Sequence, residues 1–331
     1  MSLVFPRGDR HLQMTDDTTV QQQPDETALS GTVLYDLWLL QQALYPLIEN
    51  AIRATRLSTV EFGLYLLILE QQPVTPGDIA HQSGMRANTV STAVQRLERR
   101  GHIVRAPNES DGRSVLISLS ETGQDVTRQA IEANDALLDR LSVMIDVEAV
   151  GAAVRELSRA VHVLANLAVR TDGIEGDGVP ERTDTDYSTP LGAVLYDLWL
   201  LQQALYPLIE NAIHGTGLSA GEFGLYLLIL ERQPLTPGDI AHQSGMRANT
   251  VSTALQRLEY RDHIVRAPNE SDRRSVLISL SETGQDVTRQ AIEANDALLE
   301  RLMVTIDHDQ VRAAVQELNA AVRILANLPA R

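Results

Sequence analysis

No cysteine occurs in the 331 residues. Disulfides, thiol nucleophiles, Cys-ligated zinc and thiol redox sensing are therefore excluded together. Lysine is missing too, since all 28 basic residues are Arg. The bias runs through the whole chain, so it reads as the base composition of the gene. A selection of Arg for bidentate phosphate contacts would be confined to a site. No apolar run is long enough to span a bilayer. The opening MSLVFPRGDR lacks an extended apolar segment of the signal-peptide kind, so no membrane partner and a cytoplasmic location are expected. Net positive charge is missing as well. The formal charge is −16, which looks wrong for a partner of nucleic acid.

The distribution of charge matters more than its sum. Residues 1–32 hold five acids and two Arg, and residues 171–190 hold six acids and one Arg, so half of the excess sits in an arm and a linker. Outside them the chain is written twice. An offset of 161 maps Val33–Arg170 onto Val194–Arg331 with 25 differences in 138 positions, far too long a period for a solenoid. The organisation expected is an N-terminal arm (1–32), a first domain (33–170), an acidic Gly/Asp/Thr-rich linker (171–190) and a second domain (191–331). As a flexible coil the linker would average roughly 25 Å end to end.

Each copy reads as mostly helical. VLYDLWLLQQALYPLIENAI has apolar residues at helical spacing, with a kink expected at Pro46. Ser58 and Glu61 stand in capping-box spacing ahead of a second helix. TPGDIAHQSG has Thr75 as N-cap, Pro76 in the first turn and Gly84 as the stop. RANTVSTAVQRLERRG is a further short helix. HIVRAP and SVLISL are β-rich and flank the polar NESDGR. Long helices follow from Ser120 and from Asp146. The predicted order is α-α-α-α-β-β-α-α, a mainly α fold with a small β-wing in each copy.

Two short helices joined at a glycine and followed by a hairpin describe a winged helix-turn-helix. The stretch TPGDIAHQSGMRANTVSTAVQRLERRGHIVRAPNESDGRSVLISLSETG resembles the DNA-binding core of the MarR family. The helix pair, the RLERRG exit and the D-x-R-S wing followed by LSETG carry the resemblance. In such a motif the second helix presents its polar face to the major groove. Here that face offers Arg86, Asn88, Thr89, Ser91, Thr92, Gln95 and Arg96, and in the second copy Arg247, Asn249, Thr250, Ser252, Thr253, Gln256 and Arg257. Val90, Ala93, Val94 and Leu97 fall on the other face as core. The resemblance implies that Arg113 and Arg274 reach the minor groove, braced by Asp111 and Asp272. Arg273, in place of Gly112, adds a cation to the second wing tip. Charge agrees with this placement: residues 75–118 hold six Arg against four acids, and residues 236–279 six against five.

MarR-type proteins resemble one another in binding inverted repeats as dimers through their first and last helices. The resemblance therefore implies a single-chain pseudo-dimer on double-stranded DNA, with two winged domains joined through a helical dimerisation region. It also implies a regulator, a repressor released by a small aromatic or phenolic effector. The candidates for that ligand are Tyr35, Trp38, Tyr45, Phe62 and Tyr65, with Tyr196, Trp199, Tyr206, Phe223 and Tyr226. Arg53 and Arg56, replaced by His214 and Gly217, would make the two sites differ in charge if they border them. His81, His102 and their copies read as packing groups, and no cofactor or metal is expected. No G-x-S-x-G, H-E-x-x-H or phosphate-binding glycine loop is present, so an enzyme is not expected. A ligand-sequestering or protein-interaction module on the same fold is the alternative.

Overall fold

The computed structural model describes residues 33–170, 189–272, 274–303 and 306–327. The arm, nearly all of the linker and Arg273 lie outside the described residues. The first copy comprises α1 (Val33–Ala51), a single 3-10 turn (Arg53–Thr55), α2 (Thr59–Gln71), α3 (Pro76–Ser83), α4 (Ala87–Arg99), β1 (Ile103–Pro107), β2 (Val115–Leu119), α5 (Glu121–Ser142) and α6 (Val147–Arg170). The second comprises α7 (Pro190–Ala212), a matching turn (His214–Thr216), α8 (Ala220–Arg232), α9 (Pro237–Ser244), α10 (Ala248–Tyr260), β3 (Ile264–Pro268), β4 (Val276–Leu280), α11 (Glu282–Met303) and α12 (His308–Asn327). The predicted order holds in both. Helix α1 continues through Pro46, and α7 through Pro207. Among the described residues no helix is long and apolar enough to cross a membrane.

The helix ends follow from local chemistry. Ser58 Oγ accepts from the Glu61 amide at 3.2 Å, and Glu61 Oε2 accepts from the Ser58 amide at 3.1 Å. Thr75 and Asp78 make the same reciprocal box at α3, and both boxes recur in the second copy. Each wing is an antiparallel hairpin, registered from Ile103↔Leu119 to Pro107↔Val115 in the first copy. Backbone bonds between Val74 and Ile117, at 3.0 and 2.8 Å, tie the hairpin to the loop before α3. The wing is thereby fixed to the helix pair.

The two copies exchange their first helices. Helix α1 lies along α12, α7 lies along α6, and α6 and α12 pack on each other. The crossing contacts come in reciprocal pairs, as two-fold symmetry requires. Tyr45 donates to Gln202 Oε1 at 2.7 Å, and Tyr206 donates to Gln41 Oε1. The Asp146 amide donates to Glu317 at 2.9 Å, and the Asp307 amide to Glu156 at 2.8 Å. Gly63 lies so close under Trp199 that a Cβ there would collide with the indole, and Gly224 stands in the same relation to Trp38. Both Trp side chains are buried. The apolar core consequently runs without a break from one copy into the other.

Candidate nucleic-acid interface and the cavities behind it

Helix α4 carries its two predicted faces as expected. Val90, Val94 and Leu97 are buried, while Arg86, Asn88, Thr89, Ser91, Thr92, Gln95 and Arg96 are all exposed. Helix α10 repeats this, with Arg247, Asn249, Thr250, Ser252, Thr253, Gln256 and Arg257 exposed and Val251, Leu255 and Leu258 buried. A groove of about 470 Å³ runs beside α10, lined by Asn249, Thr250, Thr253 and Arg257 together with Trp38 and Gln42 of α1 and Glu222 of α8. Not every polar group on the face is free. Thr92 returns its hydroxyl to the Asn88 carbonyl at 2.9 Å, and Thr253 does the same with Asn249.

Arginines at the two ends of the reading helix are held by carboxylates. Arg86, the N-cap of α4, bonds Glu210 of α7 at 2.9 Å, and Arg247 bonds Glu49 of α1 at 2.9 Å. Sequence reasoning missed both acids. The partners stand 124 and 198 residues apart, and only the exchange of first helices brings them together. Each head is also seated by shape on the first helix of the other half. Gly84 caps α3 at φ +71°, and a Cβ there would lie 2.7 Å from the Ala204 backbone. At the other end of α4, Arg96 and Arg100 bond Glu61 Oε1 at 3.2 and 3.3 Å. Burial alone would raise the Glu61 carboxyl, but the Ser58 amide and the two guanidiniums outweigh it and hold it below its usual range. Arg100 was not singled out from the sequence. Its signal was the RR pair at the helix exit, which reads equally well as surface charge. In the second copy Glu222 pairs with Arg261 at 3.4 Å.

The wing tips differ from expectation in one detail. Asp111 braces the main chain of Arg113 and not its guanidinium: the Arg113 amide donates to Asp111 Oδ1 at 3.0 Å. Asn108 donates to Ser114 Oγ at 2.7 Å and closes the loop. Asp272, Arg274, Asn269 and Ser275 repeat the arrangement. The exposed guanidiniums of Arg113 and Arg274 have no hydrogen-bond or ion-pair partner among the described residues. Arg273 lies outside the described residues.

The candidate effector aromatics separate into two groups. Tyr45, Phe62, Tyr196 and Trp199 line one cavity, of about 50 Å³, between α1, α2 and α5 of the first copy and α7 of the second. Tyr35, Trp38, Tyr206 and Phe223 line its counterpart of about 30 Å³. Each cavity is thus built from both copies, where the sequence suggested one per copy. Tyr65 and Tyr226 line neither. They are fully buried, with their hydroxyls 2.5 and 2.7 Å from Nδ1 of His102 and His263. Burial, with help from the neighbouring Arg100 and Arg261, lowers the pKa of these imidazoles. Arg53, Arg56, His214 and Gly217 are exposed and border neither cavity, so they do not make the sites differ in charge. Thr59 in the first lining is replaced by Ala220 in the second, and Ile131, Asp135, Leu138 and Gly192 line the first without counterparts in the second.

With this geometry in place, comparison with known proteins is informative. The sequence profile of the MarR family matches residues 63–114 and 217–275, once in each copy and each time across the helix pair and wing. The HTH-type transcriptional regulator YwhA of Bacillus subtilis is 28% identical over 101 residues, 30% of this chain and 73% of its own length. YfiV of the same organism is 26% identical over 110 residues, 33% of this chain and 69% of its own. Among solved structures, Streptococcus pneumoniae FabT in complex with DNA matches 40% of this chain and 95% of its own at 20% identity, with a TM-score of 0.34. YfiV and YwhA each match a stretch no longer than one copy. The relatives are named as transcriptional regulators, and each copy matches the MarR family, so the chain carries two tandem MarR-like winged helix-turn-helix domains.

Proposed function

We propose that one chain acts as a complete pseudo-dimer, reads an inverted-repeat operator with α4 and α10, and represses until a small aromatic ligand releases it. The observation that carries this reading is the exchanged pair of contacts Arg86–Glu210 and Arg247–Glu49. Each reading head is fastened to the first helix of the other half, so the spacing of the heads depends on how α1 and α7 cross. The cavities lie in that crossing. At about 50 and 30 Å³ they are smaller than the cavity of roughly 150 Å³ that accepts benzene in an engineered core. A ring enters only if α1, α2, α5 and α7 part, and parting them moves the heads. Ligand and operator then favour different spacings, which is the differential affinity that release requires. A large switch needs roughly 5 kcal/mol of such preference.

The proposed DNA contacts are the exposed polar residues of α4 and α10 with the wing arginines. Identical reading residues from Arg86 to Ala93 and from Arg247 to Ala254 imply nearly identical half-sites. Their centres would lie about one helical turn apart, roughly 34–36 Å. Guanidiniums at both wing tips without partners among the described residues favour DNA binding over a sequestering role. A salt-dependent gel shift on the chain's own promoter DNA tests the reading. Specific retardation that a bound aromatic abolishes is the expected result. Absence of specific retardation at low salt would reject it.

A further inference from the structure

The ligand class can be narrowed, on the premise that the cavities are effector sites. We infer that they take an uncharged aromatic bearing a hydroxyl, and not an aromatic carboxylate. The inference starts from unpartnered, buried polar atoms on residues of the linings. Asn134 of α5 is 6% exposed and lines the first cavity, and its Oδ1 has no partner. Asn295 of α11, 5% exposed, does the same in the second. Two buried donors are also unpartnered: Nε2 of Gln202, which lines both cavities, and Nε1 of Trp199, which lines the first. No tyrosine hydroxyl reaches these atoms; Tyr45 donates to Gln202 Oε1 and Tyr206 to Gln41 Oε1.

An unpaired buried amide costs about 1–3 kcal/mol, so a ligand that satisfies it gains accordingly. A hydroxyl is the smallest group that both donates to an amide oxygen and accepts from an amide or indole N–H. A carboxylate only accepts. It would face the Asn134 oxygen and also Asp135, which lines the same cavity. Neither lining contains an Arg, Lys or His to offset its lost hydration. Turning an asparagine amide over exchanges its two faces but supplies no charge, so the exclusion of anions stands in either orientation. An ammonium fails for the opposite reason, since it donates only and leaves the indole and glutamine N–H groups unmet. The aromatic walls complete the requirement.

The test uses three probes of one shape: 4-ethylphenol, 4-ethylanisole and 4-ethylbenzoate. At neutral pH the first is uncharged and donates, the second is uncharged and cannot donate, and the third is an anion. The chain's two Trp residues line different cavities, so fluorescence titration of Trp38→Phe reports the first cavity and Trp199→Phe the second. The phenol should bind roughly 30-fold more tightly than the benzoate. It should bind about three- to tenfold more tightly than the anisole. In Asn134→Leu the preference for phenol over anisole should vanish at the first cavity. If that variant does not fold, the three-probe comparison on the parent chain decides alone. Benzoate binding as well as or better than phenol would overturn the inference and leave an effector site standing. Failure of all three probes to bind would overturn both.

Discussion

Replacing Arg113 and Arg274 together with Ala isolates the wing from the rest of the interface. The choice rests on their surroundings. Both guanidiniums are exposed and lack partners among the described residues, whereas Arg86 and Arg96 hold Glu210 and Glu61. Removing Arg96 would also release a carboxylate that caps α2, and its effect on DNA would be mixed with one on the fold. The wing double variant should therefore keep its unfolding midpoint. On the operator, two lost phosphate contacts lower the slope of log affinity against log salt by about 1.8. Over a fourfold rise in salt, the parent chain should then lose roughly twelvefold more affinity than the variant. Fluorescence anisotropy with labelled operator across a salt series measures this. Arg140→Ala with Arg159→Ala removes the same charge from α5 and α6, away from the heads, and controls for net charge. An unchanged slope in the wing variant, or an equal change in the control, would refute the assignment of the wing.

Further outcomes follow from the packing. Gly63→Ala and Gly224→Ala should each lower stability by about 1–3 kcal/mol in a denaturant titration, because the added methyl meets a buried indole. Arg56→Gly and Asp262→Gly should each raise it by about 0.5–1 kcal/mol: both residues sit at positive φ (58° and 57°), and the other copy has Gly at the matching place. Acid should weaken the fold in two stages. His102 and His263 have folded pKa values below their ordinary 6.5, so the unfolded chain takes up protons first and stability falls as pH drops from there. Glu61, also lowered, contributes fully above its ordinary 4.5 and loses that contribution as pH falls through its folded value, so Glu61→Gln should flatten the lower stage of a urea-midpoint profile. Sedimentation should give a single-chain particle of 36.4 kDa, and an obligate pair of chains would refute the pseudo-dimer.

What could be read from the sequence was local. Caps, glycine stops and the alternation of Val90, Val94 and Leu97 with polar residues depend on neighbours within a few positions, and they placed the helix pair and wing correctly. Asp111 was expected to brace Arg113, and the loop geometry has it accepting from the Arg113 main-chain amide instead of the guanidinium. The exchange of α1 and α7 lay beyond local signals. Nothing in YDLWLLQQALYP indicates which of two nearly identical cores it enters, because each would accept it. The cavities inherit that ambiguity. Trp38 and Tyr65 were grouped because they share a copy, yet Trp38 packs on Gly224 while Tyr65 bonds His102 in its own head.

Fusion also alters what the two halves can become. In a homodimer one substitution changes both half-sites at once, and any asymmetry must come from the DNA. Here each half can vary alone, and the 25 differences show where it has. The start of α4, proposed to face the bases, is repeated in α10, but the helix exit is not. Arg99 becomes Tyr260, which is 91% exposed, and Gly101 becomes Asp262. At the wing tip Gly112 becomes Arg273. These changes remove two units of positive charge at the helix exit and add one at the wing, and they leave the residues proposed to read bases unchanged. The expected consequence is an operator symmetric in its core and unequal in its flanks, so that the chain binds in one preferred orientation. Hydroxyl-radical footprinting on a perfectly palindromic core with two different flanks reads that orientation. Equal protection of both orientations would show that the divergence is neutral for DNA.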